Sequence, residues 1–173
     1  MTDVLLSQYL SQLRAINHCA PVLDLACGSG KNGLYLARSG LNTLLADINN
    51  QALADINYIV QNEKLPANTW QVDFENPQAP VAAREFSAIV VYRYLHRPLF
   101  NWIKQSVMPG GLLIYSTFTH QQAAIGRPQR AEFLLQDNEL AQIFADWEIL
   151  HHWQGMKNEP HCAMAEIVAR KPL

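Results

Sequence analysis

The sequence predicts one α/β domain over residues 1–173, built on a seven-stranded, mostly parallel sheet with helices on both faces and a C-terminal antiparallel hairpin. Three observations carry this. Apolar runs of strand length alternate with amphipathic stretches, which argues for a parallel sheet covered on both sides. Glycines stand where a strand must hand over to a helix or a helix must stop. After residue 119 the alternation gives way to two strand-like runs joined by a short polar segment. That segment is too short for a helical crossover, so the two runs pair as a hairpin.

Taken in order, Leu6, Leu10, Leu13 and Ile16 fall at helical spacing. Residues 21–26 form a short apolar run ending in glycines, a buried strand. Residues 32–39 carry Leu34, Leu36 and Ala37 and stop at Gly40, a helix. A second strand is expected over 41–46 and a second helix over 51–63. Residues 69–74 and 86–91 read as the third and fourth strands, 98–107 as a helix, and 112–118 as a fifth strand introduced by Pro109-Gly110-Gly111. A loop with Gly126 and Pro128 leads to a helix over 138–144, and the hairpin strands are expected at 148–153 and 163–169.

Charge and composition remove several classes of function. Thirteen basic residues scattered against fifteen acidic ones give a net charge of −2, with no basic stripe for nucleic acid. No apolar segment reaches the length of a membrane span. Met1-Thr2-Asp3 carries an acid and no basic run ahead of an apolar stretch, so no signal peptide is expected there. Cys19, Cys27 and Cys162 have neither the number nor the spacing of a disulfide framework or a zinc site, so a reducing cytoplasm is expected and no metal. Nothing in the pattern specifies an oligomeric state.

The sharpest local signal is Val22-Leu23-Asp24-Leu25-Ala26-Cys27-Gly28-Ser29-Gly30, then Lys31-Asn32-Gly33. A strand turns sharply into a helix here while a ligand approaches the backbone, and both demands favour residues without a side chain. Gly28, Gly30 and Gly33 also satisfy the dinucleotide fingerprint, with Asp47 near the distance expected of a ribose acid, so a nicotinamide or flavin oxidoreductase stays open. Against it stand an acid inside the strand at Asp24, a hairpin ending in place of a second nucleotide-binding half, and a short chain.

Asp24-x-Ala26-x-Gly28-x-Gly30 resembles the first motif of the class I S-adenosylmethionine-dependent methyltransferases, with alanine in place of the usual first glycine. The resemblance covers nearly the whole chain and implies the Rossmann-like form of the sheet. It also implies roles. Asp47, ending the second strand, holds the ribose hydroxyls. Asp73 and Phe74, ending the third, hold the adenine. Leu25 and Ile48 line the adenosine pocket. The backbone from Ala26 through Cys27 and Gly28 to Gly30 meets the methionine moiety, with Asp24 ordering the turn, and the Tyr92 carbonyl takes the ammonium group. Cys27 is there as a small packing residue. Lys31-Asn32-Gly33-Leu34-Tyr35-Leu36, Asn138-Glu139-Leu140, Ala145-Asp146-Trp147-Glu148 and Ala169-Arg170-Lys171 resemble, more narrowly, the tellurite-resistance methyltransferases, which with the thiopurine methyltransferases beside them act on small, soft nucleophiles. The segment Tyr92-Arg93-Tyr94-Leu95-His96-Arg97-Pro98-Leu99-Phe100 departs from that group and is tighter after the fourth strand.

Methyl transfer is an in-line displacement, so the protein chiefly aligns the reactants and excludes water; a neutral nucleophile also needs a base, an anionic one does not. Arg93, His96 and Arg97 form the candidate catalytic wall, and their alternative is a solvated helix start. Of these, only His96 has a reference pKa suited to proton transfer near neutrality. Tyr94, Arg127, Arg130 and His161 are the candidate acceptor-binding residues, with His120 in the same loop as the two arginines; a solvated basic loop is the alternative there. His151 and His152 alternate along one strand and are read as structural. The expectation is methyl transfer to a small, soft or anionic molecule. A protein or RNA acceptor, an oxidoreductase, and a sensor that binds the nucleoside without turning it over remain alternatives.

Overall fold

The computed structural model describes residues 4–18, 20–76 and 84–173. Met1, Thr2, Asp3 and Cys19, on which parts of the sequence reading rest, lie outside the described residues.

Among the described residues, seven strands form one sheet in the order β3-β2-β1-β4-β5-β7-β6. Strands β1 (Val22–Leu25), β2 (Thr43–Asp47), β3 (Ala67–Gln71), β4 (Phe86–Tyr92) and β5 (Val107–Phe118) are parallel. Strands β6 (Glu148–Asn158) and β7 (His161–Arg170) pair antiparallel, with β7 also antiparallel to β5. Every residue of β1 is buried, as the continuous apolar run requires of a central parallel strand. Alternate residues serve opposite faces. Val22, Ala88, Val90 and Ile114 pack with Leu5, Leu6 and Leu13 of the N-terminal helices and Leu36 of α3 (Lys31–Arg38). Leu23, Ile89, Val91 and Tyr115 pack with Phe100 and Ile103 of α5 (Phe100–Ser106) and Leu140 of α6 (Glu139–Ile143). Helix α4 (Asn50–Glu63) covers β2 through Leu53 and Ile56. The chain winds outward from β1 to β3, then crosses back to β4. The carboxyl ends of β1 and β4 therefore flank the point where strand order reverses, the crevice in which such sheets bind ligands.

Several boundaries differ from the sequence reading for physical reasons. The first helix breaks at Tyr9 into α1 (Val4–Gln8) and α2 (Leu10–Ile16), and the Tyr9 hydroxyl donates to the Leu150 carbonyl at 3.3 Å. Strand β3 stops at Gln71. The Val72 N–H still donates to the Asp47 carbonyl at 3.0 Å, and Asp73 and Phe74 then lie in the turn beyond, not in the strand. The helix expected over 98–107 divides into a 3-10 turn, Arg97–Leu99, and α5. Strand β5 begins at Val107 and takes in the Pro-Gly-Gly run; a Cβ on Gly111 would lie 2.6 Å from the Ser87 carbonyl, so only glycine lets β4 pass there. The hairpin is longer than expected, which makes His161 the first residue of β7, paired with Asn158, where the sequence reading had it between the strands.

Candidate active site

The turn after β1 is built by conformation and packing together. Ala26, Gly28 and Gly30 have φ of 54°, 55° and 74°, in the left-handed region. The Cys27 N–H donates to the Ala46 carbonyl of β2, and the Gly30 N–H closes the turn on the Cys27 carbonyl, both at 2.9 Å. Gly33 serves a different end. Its N–H donates to Asp24 Oδ2 at 2.7 Å, and a Cβ there would lie 2.5 Å from the Leu45 side chain and 2.8 Å from that same oxygen. The acid in the strand thus anchors the first turn of α3, and the third glycine lets the helix come down on it. Asp24 is only 2% exposed. Burial lifts its pKa to about 7, the Gly33 N–H opposes this, and the charge of Asp47 adds to it. Cys27 is half-buried in the turn. Burial and the charges of Asp24 and Asp47 push its thiol up, so it stays protonated, as a packing residue should.

Above this turn lies a cleft of about 470 Å³. Ala26, Asp47 and Ile48 form its inner side, Val72, Asp73, Phe74 and Glu75 come from the loop after β3, and Arg93 and Tyr94 from the end of β4. Asp47 Oδ2 accepts the Gly28 N–H at 2.8 Å and its Oδ1 the Asn49 N–H at 2.9 Å. Asn49, not Asp47, caps α4 by accepting the Ala52 N–H. Asp73 Oδ1 accepts the Glu75 N–H at 2.9 Å, so the residue shapes its turn and also lines the cleft. Ile48 is 60% exposed although large and apolar. Phe74 is buried edge-on against Trp70 and backed by Trp102. Arg93 is held at φ 55°, its N–H donating to the Ser116 carbonyl at 2.8 Å and its guanidinium 5.7 Å from the Phe118 ring centre. Tyr94 faces the same cleft. Burial first, then the neighbouring Glu75 carboxylate and the charges of Asp73 and Asp47, push its phenol up, so the hydroxyl stays protonated.

The remaining candidates are placed elsewhere. Leu25 is buried in the core on the α5 side of the sheet and does not line the cleft. Tyr92 ends β4, with its ring against the apolar layer under α1 and α2. His96 is half-buried and starts the 3-10 turn, its carbonyl accepting the Leu99 N–H. Arg97 is turned away from the wall expected of it. Its Nε and Nη2 donate to both oxygens of Glu139 at 2.6 and 2.8 Å, and Nη1 and Nη2 reach the Glu132 and Leu134 carbonyls, which makes it a brace. Arg127 and Arg130 are exposed and outside the cleft lining; Arg130 lies 3.4 Å from Glu132. His120 pairs with Asp137 at 3.0 Å, and His161 is exposed on the hairpin. His151 turns toward buried Glu166, 3.5 Å away, where Lys157 and Ser116 also converge, while His152 is exposed. The sequence reading missed Val72 and Glu75; the signal for Glu75 was an acid two residues after Asp73 in the same turn.

Among the described residues three carboxylates and one guanidinium line the cleft, a balance that opposes the pyrophosphate of a dinucleotide. Among the described residues no group of three or more His, Cys, Asp or Glu could hold a metal ion, and no helix is long and apolar enough to cross a membrane.

A parallel sheet closed by an antiparallel hairpin, with this turn at its switch point, is the fold of the class I S-adenosylmethionine-dependent methyltransferases. Within that class, residues 2–163 match the family model of the tellurite resistance protein TehB, and the chain belongs to that family. The probable S-adenosyl-L-methionine-dependent methyltransferase TehB of Haemophilus influenzae is 28% identical over 141 residues, covering 78% of this chain and 48% of that protein. The crystal structure of TehB from Haemophilus influenzae superposes with a TM-score of 0.76 at 25% identity, covering 95% of this chain and 62% of that one. Coclaurine N-methyltransferase, solved with N-methylheliamine and S-adenosylhomocysteine, superposes at 0.73 with 12% identity over 96% of this chain and 72% of its own, a likeness of fold alone. The chain spans about half the length of the curated TehB relatives it matches.

Proposed function

We propose that this chain is an S-adenosylmethionine-dependent methyltransferase whose acceptor is a small, soft or anionic molecule. One observation carries the cofactor. Asp47, already bonded to the glycine turn, shares a single cleft with an exposed Ile48 and with Asp73 at the switch point of the sheet. Each Asp47 oxygen has a second lone pair beyond its backbone bond, enough to accept from a ribose diol by charge-assisted hydrogen bonds. Ile48 offers an apolar face to an adenine ring, and Asp73 Oδ2 is left to its amino group. The left-handed turn at Ala26, Gly28 and Gly30 brings the backbone close to the methionine part. When bound, the cofactor supplies a methyl group on a sulfonium leaving group. Phe74, Val72 and Tyr94 help to keep water from the cleft.

For the acceptor, Arg93 is the cation in the cleft wall, held on a left-handed backbone at the end of β4. It suits an anionic nucleophile, which needs orientation and no base. The relatives named as probable S-adenosyl-L-methionine-dependent methyltransferases support the activity, and a net charge of −2 without a basic stripe fits a small-molecule acceptor better than a nucleic acid.

A thermal-shift titration with S-adenosylhomocysteine against NADH tests the cofactor. Near 100 times the dissociation constant the nucleoside should add about 2.7 kcal/mol, or roughly 5–10 °C for a domain of this size. A shift with NADH alone would overturn the reading. Tritiated methyl recovered in small molecules, not in precipitable polymer, places the acceptor; recovery in polymer moves it to a macromolecule.

A further inference from the structure

We infer that Glu75 sets a charge preference in the cleft, favouring the cationic sulfonium donor over the neutral thioether left after transfer. The inference rests on the cofactor reading above and concerns how one cleft ranks two ligands of nearly identical shape.

Among the described residues Asp47, Asp73 and Glu75 line the cleft against one cation, Arg93. The three acids are not equivalent. Asp47 receives two backbone N–H groups and Asp73 one, so part of their field is answered by fixed dipoles and both help shape their turns. Glu75 is exposed, and its neighbour in the cleft is the Tyr94 hydroxyl, a neutral donor. The three carboxylates and the Tyr94 hydroxyl line one cleft, and the charges of Glu75, Asp73 and Asp47 all oppose ionisation of that phenol. A donor and its demethylated product differ by a methyl group and one positive charge. A carboxylate that shapes no turn can therefore separate them through charge alone.

The magnitude follows from Coulomb's law in a wet cleft. A unit charge some 5–8 Å from the sulfonium changes the affinity ratio about two- to fourfold. At 0.5 M salt the screening length falls to about 4 Å and the preference fades.

The test is calorimetric titration of wild type, Glu75→Gln and Tyr94→Phe with S-adenosylmethionine and S-adenosylhomocysteine, at 20 and 500 mM NaCl. In Glu75→Gln the ratio of affinities should move toward the thioether by about two- to fourfold at low salt. In wild type, high salt should do the same, whereas Tyr94→Phe, which keeps the carboxylate, should hold the wild-type ratio. Binding of both ligands at a ratio unchanged by Glu75→Gln overturns this inference alone. So does an equal change in Tyr94→Phe, which would mark a loss of shape in place of a loss of charge. Binding of neither ligand by wild type overturns the cofactor reading and this inference with it.

Discussion

Asp47 Oδ2 accepts the Gly28 N–H at 2.8 Å, which makes the end of β2 and the glycine turn after β1 one unit. With Asn49 on its other oxygen, the side chain fixes two loops before any ligand arrives. Asp47→Ala removes both anchors and the acceptors for the ribose. A hydrogen bond to a charged group contributes about 1.5–3 kcal/mol, so S-adenosylhomocysteine affinity should fall roughly 10- to 100-fold. Asp47→Asn keeps one carbonyl oxygen and should fall between. Calorimetry decides, and an undiminished affinity in Asp47→Ala would remove this carboxylate from the site.

Asp24 makes stability depend on pH. Burial raises its folded pKa to about 7 from an ordinary value near 3.8, so the folded state binds the proton more tightly than the unfolded chain. The stability this contributes is present in full below the unfolded value and is lost as pH rises through about 7. Asp24→Asn cannot ionise and its oxygen can still accept the Gly33 N–H. Urea titrations at pH 5 and pH 8 should show wild type losing on the order of 2–4 kcal/mol more than Asp24→Asn across that interval. Equal losses in the two proteins would mean that Asp24 is ionised throughout.

What could be read beforehand was whatever local pattern determines. The central strands are continuous apolar runs because both faces are covered, and the turn after β1 declares itself because left-handed backbone selects glycine. Asp47 was legible because its place, the last residue of a strand, is local. The rest depended on partners distant in sequence. Arg97 reads as one more base near the site until Glu139, forty-two residues on, is seen to take its fork. The hairpin was underestimated because β6 is an edge strand with half-exposed residues along most of its length, which blurs the alternation that marks a strand. Glu75 stands two residues after Asp73, but an acid in a polar turn is ordinary until the fold places it in a cleft.

Ala26 is a cost the chain bears at its ligand-binding turn. At φ 54° its Cβ crowds the following carbonyl, about 1–2 kcal/mol above a right-handed geometry, and glycine escapes this at some loss of unfolded-state entropy. Ala26→Gly should therefore stabilise the protein by about 0.5–1 kcal/mol, read as a higher urea midpoint at unchanged slope. Gly33→Ala should act the other way, by about 2 kcal/mol or more, because its Cβ would press on the buried side chains of Leu45 and Asp24. Destabilisation by Ala26→Gly would show that the alanine side chain has a packing role that outweighs its backbone strain.

Arg97 separates a brace from a catalyst. The guanidinium joins the 3-10 turn after β4 to the segment between β5 and α6, holding Glu139 with two parallel bonds and the carbonyls of Glu132 and Leu134 with two more. The side chain is 36% exposed, so solvent weakens each contact, and the whole set should be worth about 1–2 kcal/mol. Arg97→Lys keeps the charge and loses the planar fork, so it should recover less than half of what Arg97→Ala loses. Cofactor affinity should not change in either variant, because Arg97 lies outside the cleft lining. Hydrogen exchange should rise at residues 130–139, the stretch the fork holds down, while the turn at Ala26 to Gly30 stays protected. If turnover instead collapses in Arg97→Lys with stability and exchange unchanged, the guanidinium touches the acceptor and the catalytic wall extends to it.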